Sequence, residues 1–228
     1  LHVDHIDCYQ LHWPNRGSYC FRRNWQYDPS TQDTELTLRM MTDTLEILSM
    51  LINEGKILQI GMSNETAWGV TKWNQIAKEN GYNTLSFIQN EYSILHRLFD
   101  LDLAEACHHE KIKLFAWTPL AGGLLSGKYT RDQTPIGSRR SYKGLGERDS
   151  ENVWPALESY MRIANDNNLD LTHMSLRWIL TRPFIGTVIL GCTNLDQLKH
   201  NIKFADIELS DHVIASIDAT HRRHPIPF

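Results

Sequence analysis

The sequence predicts an α/β fold, five-eighths of a (β/α)8 TIM barrel. Three observations point there. Short strand-like runs alternate with amphipathic helix-like runs almost to the last residue. The strand-like runs are apolar at consecutive positions, as strands buried on both faces of a parallel sheet are. Each run ends in polar or titratable residues, at the side where barrels assemble their chemistry. A complete doubly wound sheet is the alternative, but it usually carries a Gly-rich loop after its first strand. Here the first strand runs into His12-Trp13-Pro14-Asn15-Arg16 instead.

The first strand spans His2 to Leu11. It starts almost at Leu1, with no initiator Met, so a preceding segment is expected to be missing. A polar loop follows from Asn15 to Asp33. Leu38, Met41, Leu45, Leu48 and Ile52 then recur at helical spacing, and Gly55 supplies a stop. Ile57 to Met62 is the second strand. Ser63 and Asn64 are candidate N-caps of a helix that reaches Asn80 and ends at Gly81. Leu85 to Gln89 reads as strand, Leu101 to His109 as helix and Leu114 to Thr118 as strand. A long loop from Pro119 to Ser150 precedes helices over Trp154 to Asn167 and Leu171 to Thr181. Thr187 to Leu190 is the fifth strand, and Leu195, Leu198 and Ile202 mark the next helix. Ser210 caps a final helix to Thr220, leaving His221 and His224 in a tail.

A length of 228 residues suits one large α/β domain. The net charge of −4 argues against a nucleic-acid or membrane surface. No apolar run is long enough to span a bilayer. Cys8, Cys20, Cys107 and Cys192 are widely spread without a Cys-x-x-Cys pair, which fits free thiols in a reducing cytoplasm. No metal-ligand set is expected: His108 and His109 read as helix surface. Asp4 and Asp7 have opposite strand parity and cannot face one another as a glycosidase pair.

In a parallel sheet the residues after each strand share one rim. They are His12 and Trp13; Ser63 and Asn64; Gln89, Asn90 and Tyr92; Trp117, Thr118, Pro119 and Leu120; and Gly191, Cys192 and Thr193. Taken singly each has a plain reading: a locally satisfied histidine, a helix cap, a buried amide, a core tryptophan. Together they supply a titratable ring, amide donors and acceptors, hydroxyls and an aromatic plane. That inventory suits a planar, amide-bearing heterocycle with phosphates attached.

Five stretches carry a resemblance: Asp4 to Pro14, Gly55 to Glu65, Ile88 to Ser93, Ala116 to Tyr129 and Gly191 to Leu198. In this order and spacing the chain resembles the aldo-keto reductases, in the branch that includes Tas-like proteins and potassium-channel β-subunits. The resemblance implies a (β/α)8 barrel seen from about its fourth strand onward. Residues 1–228 would then be a single partial barrel domain lacking the first three βα units. It implies NADPH-dependent reduction of aldehydes or ketones to alcohols. The family uses an Asp, Tyr, Lys and His tetrad, of which only the His is matched, at His12.

By the same resemblance Ser63, Asn64 and Gln89 hold the nicotinamide carboxamide and Trp117 stacks on its ring. Thr118, Pro119, Leu120 and Gly122 lie by the pyrophosphate, with Lys128 adding charge and Arg139 in a loop that closes over the phosphates. A solvated basic loop is the plain reading of Arg139 and Arg140. Gly191 and Thr193 sit at a helix N-terminus, and Gln197 and Asn201 face the adenine. The family often places Lys or Arg near the 2′-phosphate; Cys192-Thr193-Asn194 offers none, which weakens the preference for NADPH over NADH. Trp13 is the expected substrate contact, and the partner a small carbonyl compound. Arg16, Arg22 and Arg23 hint at anionic groups, a solvated loop being the alternative. Two other readings remain: a cofactor-sensing regulatory or partner-binding protein on the same scaffold, and an inactive fragment. Retention of His12 favours the enzyme, because the sensing relatives tend to replace it.

Overall fold

A computed structural model describes residues 2–20 and 25–228. The chain divides into two compact units: Leu1–Asn90 with Phe99–Phe115, and Glu91–Leu98 with Ala116–Phe228. It is an α/β protein with a five-stranded sheet whose strands hydrogen-bond in chain order.

In the first unit β1 (Ile6–Leu11) is followed by α1 (Thr34–Asn53), β2 (Ile57–Ser63) and α2 (Ala67–Asn80). Then come β3 (Phe87–Glu91), α3 (Asp102–His109) and the first residues of β4 (Lys113–Trp117). β1 pairs parallel with β2, Leu11 opposite Met62, and β2 with β3, Ser63 opposite Gln89. This register alone aligns the ends of three strands. Gly61 is glycine because Phe87 needs the space: a Cβ there would lie 2.5 Å from the Phe87 ring. That ring stacks on Phe115 with centroids 4.7 Å apart. Asp33 caps α1 by accepting from the Leu36 amide. Gly81, at φ 70°, closes α2 in the left-handed conformation, as the sequence predicts.

The start of α2 differs from expectation. Asn64 has φ 57°, the left-handed region, and cannot serve as an extended N-cap. Thr66 is the cap, its hydroxyl accepting from the Gly69 amide, and Ser63 is the last residue of β2. β1 begins only at Ile6 and its outer residues are exposed, so it is not the doubly buried strand its composition suggests.

The second unit contains the end of β4, a 3-10 run (Ala121–Ser126) and α4 (Arg139–Tyr142). α5 (Val153–Asp166), α6 (Leu171–Leu180), β5 (Ile185–Val188), α7 (Leu195–Asn201) and α8 (Asp211–Arg223) follow. β5 therefore lies two residues earlier than the apolar run Thr187 to Leu190 predicts, and His221 belongs to α8 rather than a tail. Ser210 caps α8 as expected. The core is aromatic. Tyr92 stacks on Trp178 and meets Phe184 edge-on. Arg97 covers Trp178 at 4.6 Å while paired with Asp218 at 2.7 Å. The buried Tyr160 hydroxyl donates to the Ile94 carbonyl, and its desolvation drives the phenol pKa well above the usual value.

None of the four cysteines is in a disulfide; Cys107 is buried, and desolvation pushes its thiol up to about 12. Among the described residues no helix is long and apolar enough to cross a membrane.

Candidate functional site

In the first unit the strand ends converge. The register that sets Leu11 beside Met62 and Ser63 beside Gln89 puts His12, Ser63 and Gln89 in one row. Asn64 ties the row together. Its Nδ2 donates to the His12 carbonyl at 2.9 Å and to Ser63 Oγ at 3.1 Å. Its own amide donates to the Gln89 carbonyl at 3.0 Å, which also accepts from Ser63 Oγ at 2.7 Å. Asn64 is 2% exposed, yet its Oδ1 has no hydrogen-bond partner. A buried acceptor left unmatched costs free energy unless something donates to it. Gln10, which the sequence does not single out, donates from Nε2 to Gln89 Oε1 at 3.0 Å and fixes that side chain.

The His12 ring is exposed and stacks on Trp13, centroids 4.9 Å apart and ring planes nearly parallel. Both line a cavity of about 320 Å³ whose other walls include Met40, Met41, Met62 and Ser63. An imidazole at the mouth of a mostly apolar cavity suits a small substrate with one polar group.

The loop after β1 is held by charge. The Arg16 guanidinium bonds Glu65 at 3.2 and 2.5 Å, with both side chains buried. Glu65 also accepts from Trp73 Nε1 at 3.1 Å and from the Thr66 amide at 2.7 Å. The Ser18 hydroxyl donates to the Asn64 carbonyl and Asn90 Nδ2 to the Glu65 carbonyl. Arg16 is thus neutralised inside the fold and is neither an anion-binding group nor a solvated one. Arg22 and Arg23 lie outside the described residues. A chain separation of 49 residues hides this pair from any local pattern.

In the second unit eleven of the expected residues line one groove of about 930 Å³: Trp117, Thr118, Pro119, Leu120, Gly122, Lys128, Arg139, Gly191, Thr193, Gln197 and Asn201. The residue after β4, Thr118 at φ 54°, is left-handed, as is Asn64 directly after β2. Non-glycine residues held there carry strain that tends to mark functional positions. Gly122 (φ 71°) and Gly123 (φ 104°) bend the 3-10 run in a conformation only glycine adopts cheaply. The Lys128 ammonium stands over the Tyr129 ring at 5.2 Å. Ser138 Oγ, also on the groove wall, is buried with no hydrogen-bond partner.

The basic loop divides its labour. Arg139 lines the groove. Arg140 turns away: it bonds Asp149 at 2.8 and 3.1 Å, reaches the Thr130 carbonyl and covers Trp154 at 4.7 Å. At the last strand the amide and hydroxyl of Thr193 both donate to Gln197 Oε1 at 3.0 Å. The Thr193 amide is therefore engaged by the Gln197 side chain. Asn194 caps α7, and Asn201 Nδ2 donates to Cys192 Sγ at 3.4 Å. His108 and His109 are exposed on α3, as expected.

The Aldo/keto reductase family model matches residues 1–222. The chain is 36% identical to "Protein tas" of Escherichia coli K12, over 100% of this chain and 65% of that protein. It is 34% identical to an "Aldo-keto reductase" of Babesia bovis, over 89% of this chain and 74% of that protein. It is 28% identical to the "NADH-specific methylglyoxal reductase" of Escherichia coli K12, over 92% and 57%. The chain thus spans 65% of the length of Protein tas.

Proposed function

The chain belongs to the aldo/keto reductase family, and from that premise we propose that the protein reduces an aldehyde or ketone to an alcohol with NADPH. The five parallel strands are, on this reading, part of a (β/α)8 barrel. When bound, NADPH supplies the hydride. The observation that carries the reading is the buried, unmatched Oδ1 of Asn64 in a row with His12, Ser63 and Gln89.

The donor set suits a carboxamide. Asn64 Oδ1 accepts an amide proton, and Ser63 and Gln89 flank it with a hydroxyl and a side-chain amide. Anchoring Nδ2 on the His12 carbonyl leaves Oδ1 as the atom to offer. Within the second unit Trp117 gives the groove an aromatic plane. The bend at Gly122 and Gly123, with Lys128, Arg139 and the unmatched Ser138 Oγ, suits a pyrophosphate. Gln197 and Asn201, which line the same groove, are the adenine contacts on this reading.

His12 acts on the substrate. A carbonyl that gains hydride develops negative charge on oxygen and needs a donor aimed at it. The exposed imidazole, held flat on Trp13, orients that oxygen and assists proton transfer. Trp13 gives the substrate an apolar wall. No residue of this chain is assigned to the family's Asp, Tyr and Lys. A cytoplasmic location suits four cysteines without disulfides.

The preference for NADPH over NADH is the open variable, because Cys192-Thr193-Asn194 carries no base and one relative is named an NADH-specific reductase. The test is fluorescence titration of the protein with each nucleotide, followed by steady-state rates with an aromatic aldehyde. Saturable binding of NADPH, several-fold tighter than NADH, with steady turnover is the expected result. Binding of neither nucleotide overturns the proposal; one turnover without a steady rate assigns a sensor instead.

A further inference from the structure

We propose that Asp170, His173 and His200 bind a divalent transition-metal ion of the zinc class, clipping the start of α6 to the end of α7. Asp170 Oδ1 lies 3.4 Å from His200 Nε2 and 3.8 Å from His173 Nδ1. One ligand atom from each of the three residues falls within 4.8 Å of the others. A tetrahedral ion with bonds near 2.1 Å spaces its ligands by about 3.4 Å. The cluster is therefore close to coordination geometry as it stands.

The hydrogen bond behind the cluster sets the tautomer. His173 Nε2 sits 2.7 Å from the His200 carbonyl oxygen. A carbonyl only accepts, so Nε2 carries the proton. In the neutral ring Nδ1 then presents a lone pair toward the Asp170 carboxylate. Two electron-rich atoms face one another, and a cation between them resolves the conflict. Backbing a metal-ligating imidazole with a carbonyl is how such ligands are oriented. The carboxylate is positioned too: Asp170 Oδ1 caps α6 by accepting from the His173 amide at 2.9 Å. The two rings stack with centroids 4.4 Å apart, which limits the freedom of both. Asp170 and His200 are exposed, so an ion can enter and water can complete its shell. Two imidazoles and one carboxylate select zinc, cobalt, nickel or copper over calcium or magnesium.

The test uses chelator-treated protein at pH 7.5 with Co2+ as the probe. One equivalent is expected to bind with visible d–d absorption and to raise the melting temperature. His173→Gln and His200→Gln are each expected to weaken Co2+ binding at least tenfold, while the double variant His108→Gln, His109→Gln leaves it unchanged. Asp170 is left intact because it caps a helix. Absence of stoichiometric binding below millimolar Co2+, or binding indifferent to both glutamine variants, overturns the proposal. Long-range proton–nitrogen spectra of the unaltered protein give a second readout if a variant misfolds. Zn2+ is expected to shift the His173 Nδ1 and His200 Nε2 signals, and shifts confined to other histidines refute the site.

Discussion

Replacing Arg16 with Met tests what holds the strand-end row of the first unit. The guanidinium side chain is 6% exposed and the Glu65 side chain 2%. Arg16→Met keeps much of the aliphatic volume, so the loss is one of charge rather than packing. Glu65 retains its bonds from Trp73 and Thr66 but loses its counter-ion. Breaking a buried pair from one side costs about 3–5 kcal/mol. For a chain of this size that lowers the melting temperature by roughly 6–20 °C. The double variant Arg16→Met, Glu65→Leu leaves no stranded charge and should recover most of the loss. Thermal and urea unfolding followed by circular dichroism measure all members of the cycle. Nucleotide affinity should fall with the single variant too, because Ser18 and Asn90 reach the Asn64 and Glu65 carbonyls from the same network. A cost under about 1 kcal/mol, the value of an exposed pair, refutes the reasoning. So does a double variant no more stable than the single.

Other outcomes follow from the same structure. His12→Ala should lower kcat by about 10²–10⁴ with little change in nucleotide affinity, as loss of a proton-transfer group does; an unchanged kcat removes His12 from the chemistry. Asn64→Ala should weaken NADPH binding by roughly tenfold or more, since it deletes both the free acceptor and the bond to His12; titration reads this directly. Gly61→Ala drives a methyl into Phe87 and should cost about 1–3 kcal/mol in urea unfolding. Partial desolvation raises the Glu110 carboxyl pKa, but hydrogen bonds from Lys78 and Asn74 outweigh it and hold the group below the usual range. Its contribution is therefore present above the ordinary Glu pKa and lost as pH falls through the depressed value. Glu110→Gln should flatten that part of the acid unfolding profile. Alkylation at pH 8 should label exposed Cys8 in the folded protein and Cys107 only after unfolding.

The sequence reveals whatever depends on near neighbours. Gly81 and Ser210 mark their helix ends because a left-handed stop and an N-cap are chosen by one residue type at one place. His12 and Trp117 are legible as strand-end residues because they close apolar runs, whereas Gly122 is marked by the resemblance. Thr66 is missed as a cap because the left-handed Asn64 delays the helix, and nothing local announces that turn. The Arg16–Glu65 pair, the Gln10–Gln89 bond and the His173–His200 stack join residues 49, 79 and 27 positions apart. Such pairs exist only once the chain is folded. The Gln197 side chain folded back on the Thr193 amide is likewise a contact that only the folded structure displays.

The reversed backbone turn at Thr118 bears on any attempt to retarget the groove by directed evolution. Randomising that codon discards most of its diversity before selection begins, since few side chains tolerate such torsions without a folding penalty. Gln197 and Asn201 occupy ordinary helical torsions in α7. A library aimed at nucleotide preference is better spent there, where sampled variants survive to be screened.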